Sequence, residues 1–139
     1  MAKQTNLYLT QSVKTAAVVI QPAHTTTYRT LFTAGTNDSY IEDVTACSDD
    51  TSTRYVTLAL DDGASQYPIC TTSIVAGSGT DGINGSIDLL NYGTAAGLPL
   101  NANGKRYIKL ATGWSLKVKV ITTMTAGKTM YVTMMGEDF

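Results

Sequence analysis

The chain has 139 residues, with 10 Lys and Arg against 11 Asp and Glu and one His, a formal net charge of −1. That length suits one domain with its own core rather than two, and the charge balance argues against nucleic acid or an anionic membrane as a partner, because both are bound through fields of Lys and Arg. Charged residues make up 15% of the chain, against about 25% in ordinary soluble domains; 23 threonines fill the gap, and a β-branched residue whose hydroxyl tolerates water suits the solvent face of a strand.

Met1 to Asn6 has no apolar stretch behind it of the kind a secretory signal needs. Residues 1–12 read as an N-terminal arm or a first strand, polar from Lys3 onward except for Leu7, Tyr8 and Leu9. Those three are the candidate interface residues, because adjacent large apolar side chains are costly to leave in water and an extended arm can add a strand to a partner's sheet. Residues 13–139 read as a single β-sandwich domain. No stretch shows helical periodicity, and period two recurs in short runs broken by Gly, Asn and Asp. Residues 13–20 form a mostly apolar strand whose run at 16–20 is far short of the ~20 residues of a membrane span. Residues 27–33 alternate, and 34–38 are a turn. In the strand at 40–47, Ile41 and Val44 fall out of phase, which a β-bulge would repair. Residues 54–60 place Val56, Leu58 and Leu60 on one face. Asp61-Asp62-Gly63 closes a hairpin into 66–75, where Pro68 demotes the strand's start to a sheet edge. A glycine-rich loop covers 76–85, followed by a short strand at 86–90. Loop then runs to Asn103-Gly104, a type I′ turn signal. Strands follow at 105–111, at 115–122 with Leu116, Val118 and Val120 inward, and at 129–135 with Val132 inward. The expectation is an all-β sandwich or jelly roll of eight or nine short antiparallel strands.

Motifs that could carry chemistry dissolve on inspection. Gly77-Ser78-Gly79-Thr80-Asp81-Gly82 spells a dinucleotide-binding pattern, but no helix follows to meet a pyrophosphate. Gly127-Lys128-Thr129 ends like a P-loop, yet Thr122 stands where the first glycine is required. His24 is the sole histidine, and no nucleophile elbow exists for it to serve. Asp49-Asp50 and Asp61-Asp62 could ligate Ca²⁺, but each pair sits in a turn where Asp caps backbone. Trp114 opens a core strand, and packing suits it better than sugar stacking. Met124, Met130, Met134 and Met135 read as core or subunit contact. Cys47 and Cys70 read as thiols, since a domain of this length needs no staple. No catalytic residue, cofactor or metal site is expected.

Three stretches resemble small virion proteins of tailed bacteriophages. The first is Thr27-Tyr28-Arg29-Thr30-Leu31-Phe32-Thr33-Ala34-Gly35 with Asn37-Asp38-Ser39. The second is Leu89-Leu90, then Leu98-Pro99-Leu100-Asn101-Ala102-Asn103-Gly104-Lys105-Arg106-Tyr107-Ile108-Lys109-Leu110. The third is Gly113-Trp114-Ser115-Leu116-Lys117-Val118, then Val120-Ile121-Thr122, Thr125-Ala126-Gly127-Lys128-Thr129 and Gly136-Glu137-Asp138-Phe139. Length and strand count are similar to the jelly-roll head decoration (cement) proteins. The resemblance implies a protein made in a bacterial cytoplasm and bound to the exterior of the capsid, where it locks neighbouring capsomers. Its implied partners are the major capsid protein and itself, as a homodimer or homotrimer, with no nucleic acid, no membrane and no cofactor. Two other readings fit the same residues: a tail or baseplate structural protein, and a carbohydrate-binding sandwich displayed on the virion, which would need Trp114 or several Tyr as an exposed platform.

Overall fold

The period-two runs become nine antiparallel strands in the computed structural model, which describes residues 12–91 and 95–138. They are β1 (Ser12–Ile20), β2 (Arg29–Thr33), β3 (Ser39–Ser48), β4 (Arg54–Asp61), β5 (Gln66–Ile74), β6 (Ile87–Asp88), β7 (Ile108–Leu110), β8 (Ser115–Val120) and β9 (Met130–Asp138). The front sheet has the order β1-β9-β3-β6, with β7 also on β3, and the back sheet the order β2-β8-β4-β5.

The order follows from one long hairpin. Its tip is the turn between β4 and β5, which pair with each other. Walking away from the tip, β3 pairs β6 and β7, β2 pairs β8, and β1 pairs β9. The ribbon then wraps on itself through β3–β9 and β4–β8. Alternate rungs fall in opposite sheets, which is the double Greek key of a jelly roll. The second arm's counterpart of β3 is split. β6 faces Thr45 and Ala46, and β7 faces Ser39 to Ile41. The strands expected at 86–90 and 105–111 are therefore shorter than their sequence runs, because both share one edge of β3.

Between the sheets, the inward side chains form one core. Val56, Leu58, Leu116, Val118, Val120 and Val132 are buried as expected, while Leu60 is half-buried against that core. Ile20, Ile41, Val44, Met130 and Met134 supply the front half. On the other face of β4, Thr57 and Ala59 are buried as well. They lie opposite Lys119 and Lys117, and long lysine stems cover small neighbours.

The phase error at Ile41 and Val44 is a bulge. Pairing with β9 skips a residue between Ile41 and Asp43, so Glu42 is extra and both apolar side chains turn inward. Gly136 sits opposite, where a Cβ would run into the backbone carbonyl of Tyr40. Glycine there lets β9 continue to Asp138, beyond the expected end at 135. A second skip, between Thr30 and Phe32, lets Leu31 and Phe32 both reach the core. Pro68 lies on β5, an edge strand, as its missing N–H requires.

The Asn103-Gly104 turn differs from expectation. Type I′ needs positive φ at both residues, and only Gly104 has it, at 77°. The Gly104 N–H bonds the Asn101 carbonyl, and the Asn101 N–H bonds that of Lys105 at 2.7 Å. Asn101 Oδ1 also accepts from the Asn103 and Lys105 N–H groups, so the loop is longer and held by its first side chain.

Candidate interaction face

The acidic pairs are spent on the fold. Asp49 Oδ1 accepts the Thr129 N–H at 2.7 Å. Asp50 is 1% exposed and receives the Ser52 N–H, the Thr125 N–H and hydroxyl, and Arg54 Nε at 2.7–3.0 Å. Burial works against its charge, but these donors together outweigh it and hold the carboxyl well below its ordinary range. The cluster ties the β3–β4 turn to the β8–β9 loop. At the opposite end, Asp61 takes Lys117 at 2.8 Å, Gln66 and the Gly63 N–H. The Lys117 bond, then those of Gln66 and Gly63, bring its pKa down to about 2. Asp62 accepts the Ala64 and Ser65 N–H groups and the Tyr67 hydroxyl. Among the described residues no three His, Cys, Asp or Glu side chains converge to hold a metal ion.

The remaining candidates are structural too. His24 Nδ1 accepts the Gln21 N–H in a short 3-10 turn. The glycine-rich loop folds onto the end of β3: Ser48 N–H bonds the Ser78 carbonyl at 2.8 Å. Gly79, with φ of 74°, passes so close that a Cβ would strike the Cys47 sulfur. Trp114 packs against the core and stacks on Tyr67 at 6.1 Å. Cys47 and Cys70 are not joined. Leu7, Tyr8 and Leu9 lie outside the described residues.

On β1, β9 and β3, the residues that alternate with the core point outward in rows: Val19–Tyr131–Cys47, Ala17–Thr133–Thr45, Thr15–Met135–Asp43, and Val13–Glu137–Tyr40. In the half built by β1 and β9, no charge occurs between Val19 and Met135. Val13, Tyr131 and Met135 are 84%, 44% and 56% exposed, large apolar groups on one side of one sheet. Thr15, Ala17 and Thr133 fill the space between them, also exposed. β1 is an edge strand, and Lys14, its one charge, pairs with Asp138 at 3.5 Å. Edges are ordinarily blunted by charge or proline; among the described residues of this one, Lys14 is the sole such group. On the outer side of the back sheet the charges have internal partners: Lys117 meets Asp61, and Lys119 lies over the Tyr28 ring at 4.6 Å. The sequence expectation of a Met contact surface applies to Met135 alone, since Met124, Met130 and Met134 are core.

At the end of this face, beside the bulge, is an open cleft of about 260 Å³ lined by Tyr40, Glu42, Asn101, Tyr107 and Glu137. The two rings are 5.5 Å apart and tilted by 54°. A second depression of about 470 Å³ shares Tyr40 and adds Asp38, Ser39, Lys109, Leu110 and Ala111. No sequence motif announces this corner. The bulge, Gly136 and the 101–105 loop assemble it from three separate segments.

Fold and face together define a jelly-roll sandwich whose front sheet carries an apolar, uncharged stretch across β1 and β9. No protein-family model matches the chain, and no curated protein matches it. Among solved structures, a chain of the cyanophage Pam1 capsid asymmetric unit is similar, with 14% identity and a TM-score of 0.47, over 94% of this chain and 85% of that one. No described helix is long and apolar enough to cross a membrane.

Proposed function

We propose that the protein is a structural subunit of a tailed-phage virion, a non-enzymatic decoration protein that lies on the outside of the head and bridges the major capsid protein's capsomers. The observation that carries this is the outer side of the front sheet over β1 and β9, where Val19, Tyr131 and Met135 are exposed with no charge between them and Val13 is exposed beyond them. An apolar face of this kind marks protein contact. The sequence resemblance supplies the class of partner. The polar groups that could have served catalysis are bonded within the fold, and this agrees with a protein that works by lying against others. Self-association as a dimer or trimer would use the same sheet. Leu7, Tyr8 and Leu9, the apolar residues of the N-terminal segment, are assigned to the same contact.

Binding to heads stripped of this protein tests the reading. The wild-type chain cosediments with heads rather than tails, and binding persists in EDTA because no metal is involved. Capsids also raise its melting temperature, since a ligand that binds only the folded state stabilises it. Removal of residues 2–11 leaves the melting temperature near wild type and weakens capsid binding. Cosedimentation with tails alone, or loss of binding in EDTA with rescue by Ca²⁺, overturns the reading.

A further inference from the structure

The corner cleft brings two tyrosine rings and two carboxylates together beside the bulge. Tyr40 already shows how the site works: Lys109 Nζ lies over its ring at 5.6 Å, as an electron-rich ring face attracts an ammonium. The other lobe has a second ring, Tyr107, and two carboxylates, Glu42 and Glu137. Neither carboxylate forms an ion pair among the described residues, where the pairs are Lys14–Asp138, Arg54–Asp50 and Lys117–Asp61. Glu137 is half-buried and lies directly across from Tyr40 in the ladder; Glu42 is pushed out by the bulge.

We propose that the lobe between Tyr107, Glu42 and Glu137 receives a basic side chain, arginine or lysine, from a partner protein docked on the front sheet. Two carboxylates favour a positive charge, and a guanidinium can stack on a tyrosine while donating to carboxylate oxygens. The cleft's volume of about 260 Å³ holds one long side chain. This deepens the reading of the front sheet as a contact face, but the cleft can be tested without any capsid.

The test is a titration of the full-length ¹⁵N-labelled protein with N-acetylarginine amide, followed by amide chemical shifts at low salt. The expected result is saturable change confined to Tyr40, Glu42, Asn101, Tyr107 and Glu137, weakened severalfold between roughly 20 and 200 mM salt as screening sets in. N-acetylcitrulline amide, the same shape without the charge, gives no saturable change. The double variant Glu42→Gln/Glu137→Gln binds the arginine probe at least about tenfold more weakly, as expected where charge-assisted bonds are lost, and keeps its spectrum elsewhere. Tyr107→Leu weakens binding with both carboxylates intact. Equal binding of citrulline, no saturation by the arginine probe, or an unchanged double variant overturns the proposal. A Lys3→Ala variant that binds the probe more tightly also overturns it, because it assigns the lobe to this chain's own Lys3. Failure of the chain to bind heads, with the arginine result intact, removes the capsid and leaves the cleft.

Discussion

Asp50 shows what a single residue contributes and what its sequence context conceals. Its place in a turn is legible from Asp49-Asp50-Thr51-Ser52, and the Ser52 N–H bond is the expected Asx geometry. Thr125, 75 positions away, is not legible, yet it supplies two of the four donors. Removing the carboxylate leaves Arg54, whose side chain is 13% exposed, without its partner. Asp50→Ala is expected to cost about 3–5 kcal/mol, the range for breaking a buried ion pair from one side, measured by urea unfolding at neutral pH. The sign with pH follows from the depressed carboxyls. Asp61 falls from 3.8 to about 2 in the folded state, and Asp50 is also lowered. Such groups stabilise fully above their unfolded values and lose that contribution as pH falls through the folded ones. Stability should therefore decline from about pH 4 toward pH 2, and Asp50→Asn should flatten that decline. An unchanged acid limb in Asp50→Asn would show that the cluster does not govern it.

At the scale of elements, the alternation in 54–60 and 115–120 identifies β4 and β8 and their buried faces. Leu58, fully buried, should cost about 2–5 kcal/mol on truncation to Ala; a loss below about 0.5 kcal/mol would place it at a surface. The misphased Ile41 and Val44 reveal the bulge in β3 but not its partner. Gly136 reads in sequence as the strand's end, because glycine weakens strands, and only the register shows that it makes room for the Tyr40 carbonyl. Gly136→Ala is expected to destabilise by about 1–3 kcal/mol, as overpacking does, and to disturb amides around Tyr40 and Glu42 first. The sequence runs at 86–90 and 105–111 are longer than β6 and β7 because local pattern cannot show that two short strands must share one edge. The corner cleft was illegible for the same reason: Tyr40, Asn101, Tyr107 and Glu137 acquire meaning only after register and bulge bring them together.

At the scale of the molecule, the folded-over ribbon leaves two kinds of surface. The back sheet's outer side has its charges paired internally, whereas the front sheet's outer side is apolar across β1 and β9, with β1 as the edge strand among the described residues. The fold class could be read from composition and periodicity. The useful asymmetry between the two sheets could not, because each outward residue in sequence is simply a Thr, Val or Tyr in alternation. The most direct test compares binding to stripped heads for Tyr131→Glu/Met135→Glu, on the front sheet, with Tyr55→Glu, an exposed residue on the back sheet. Both variants are expected to fold, the front-sheet variant to lose capsid occupancy and Tyr55→Glu to keep the wild-type level. Wild-type occupancy by the front-sheet variant would contradict a front-sheet contact.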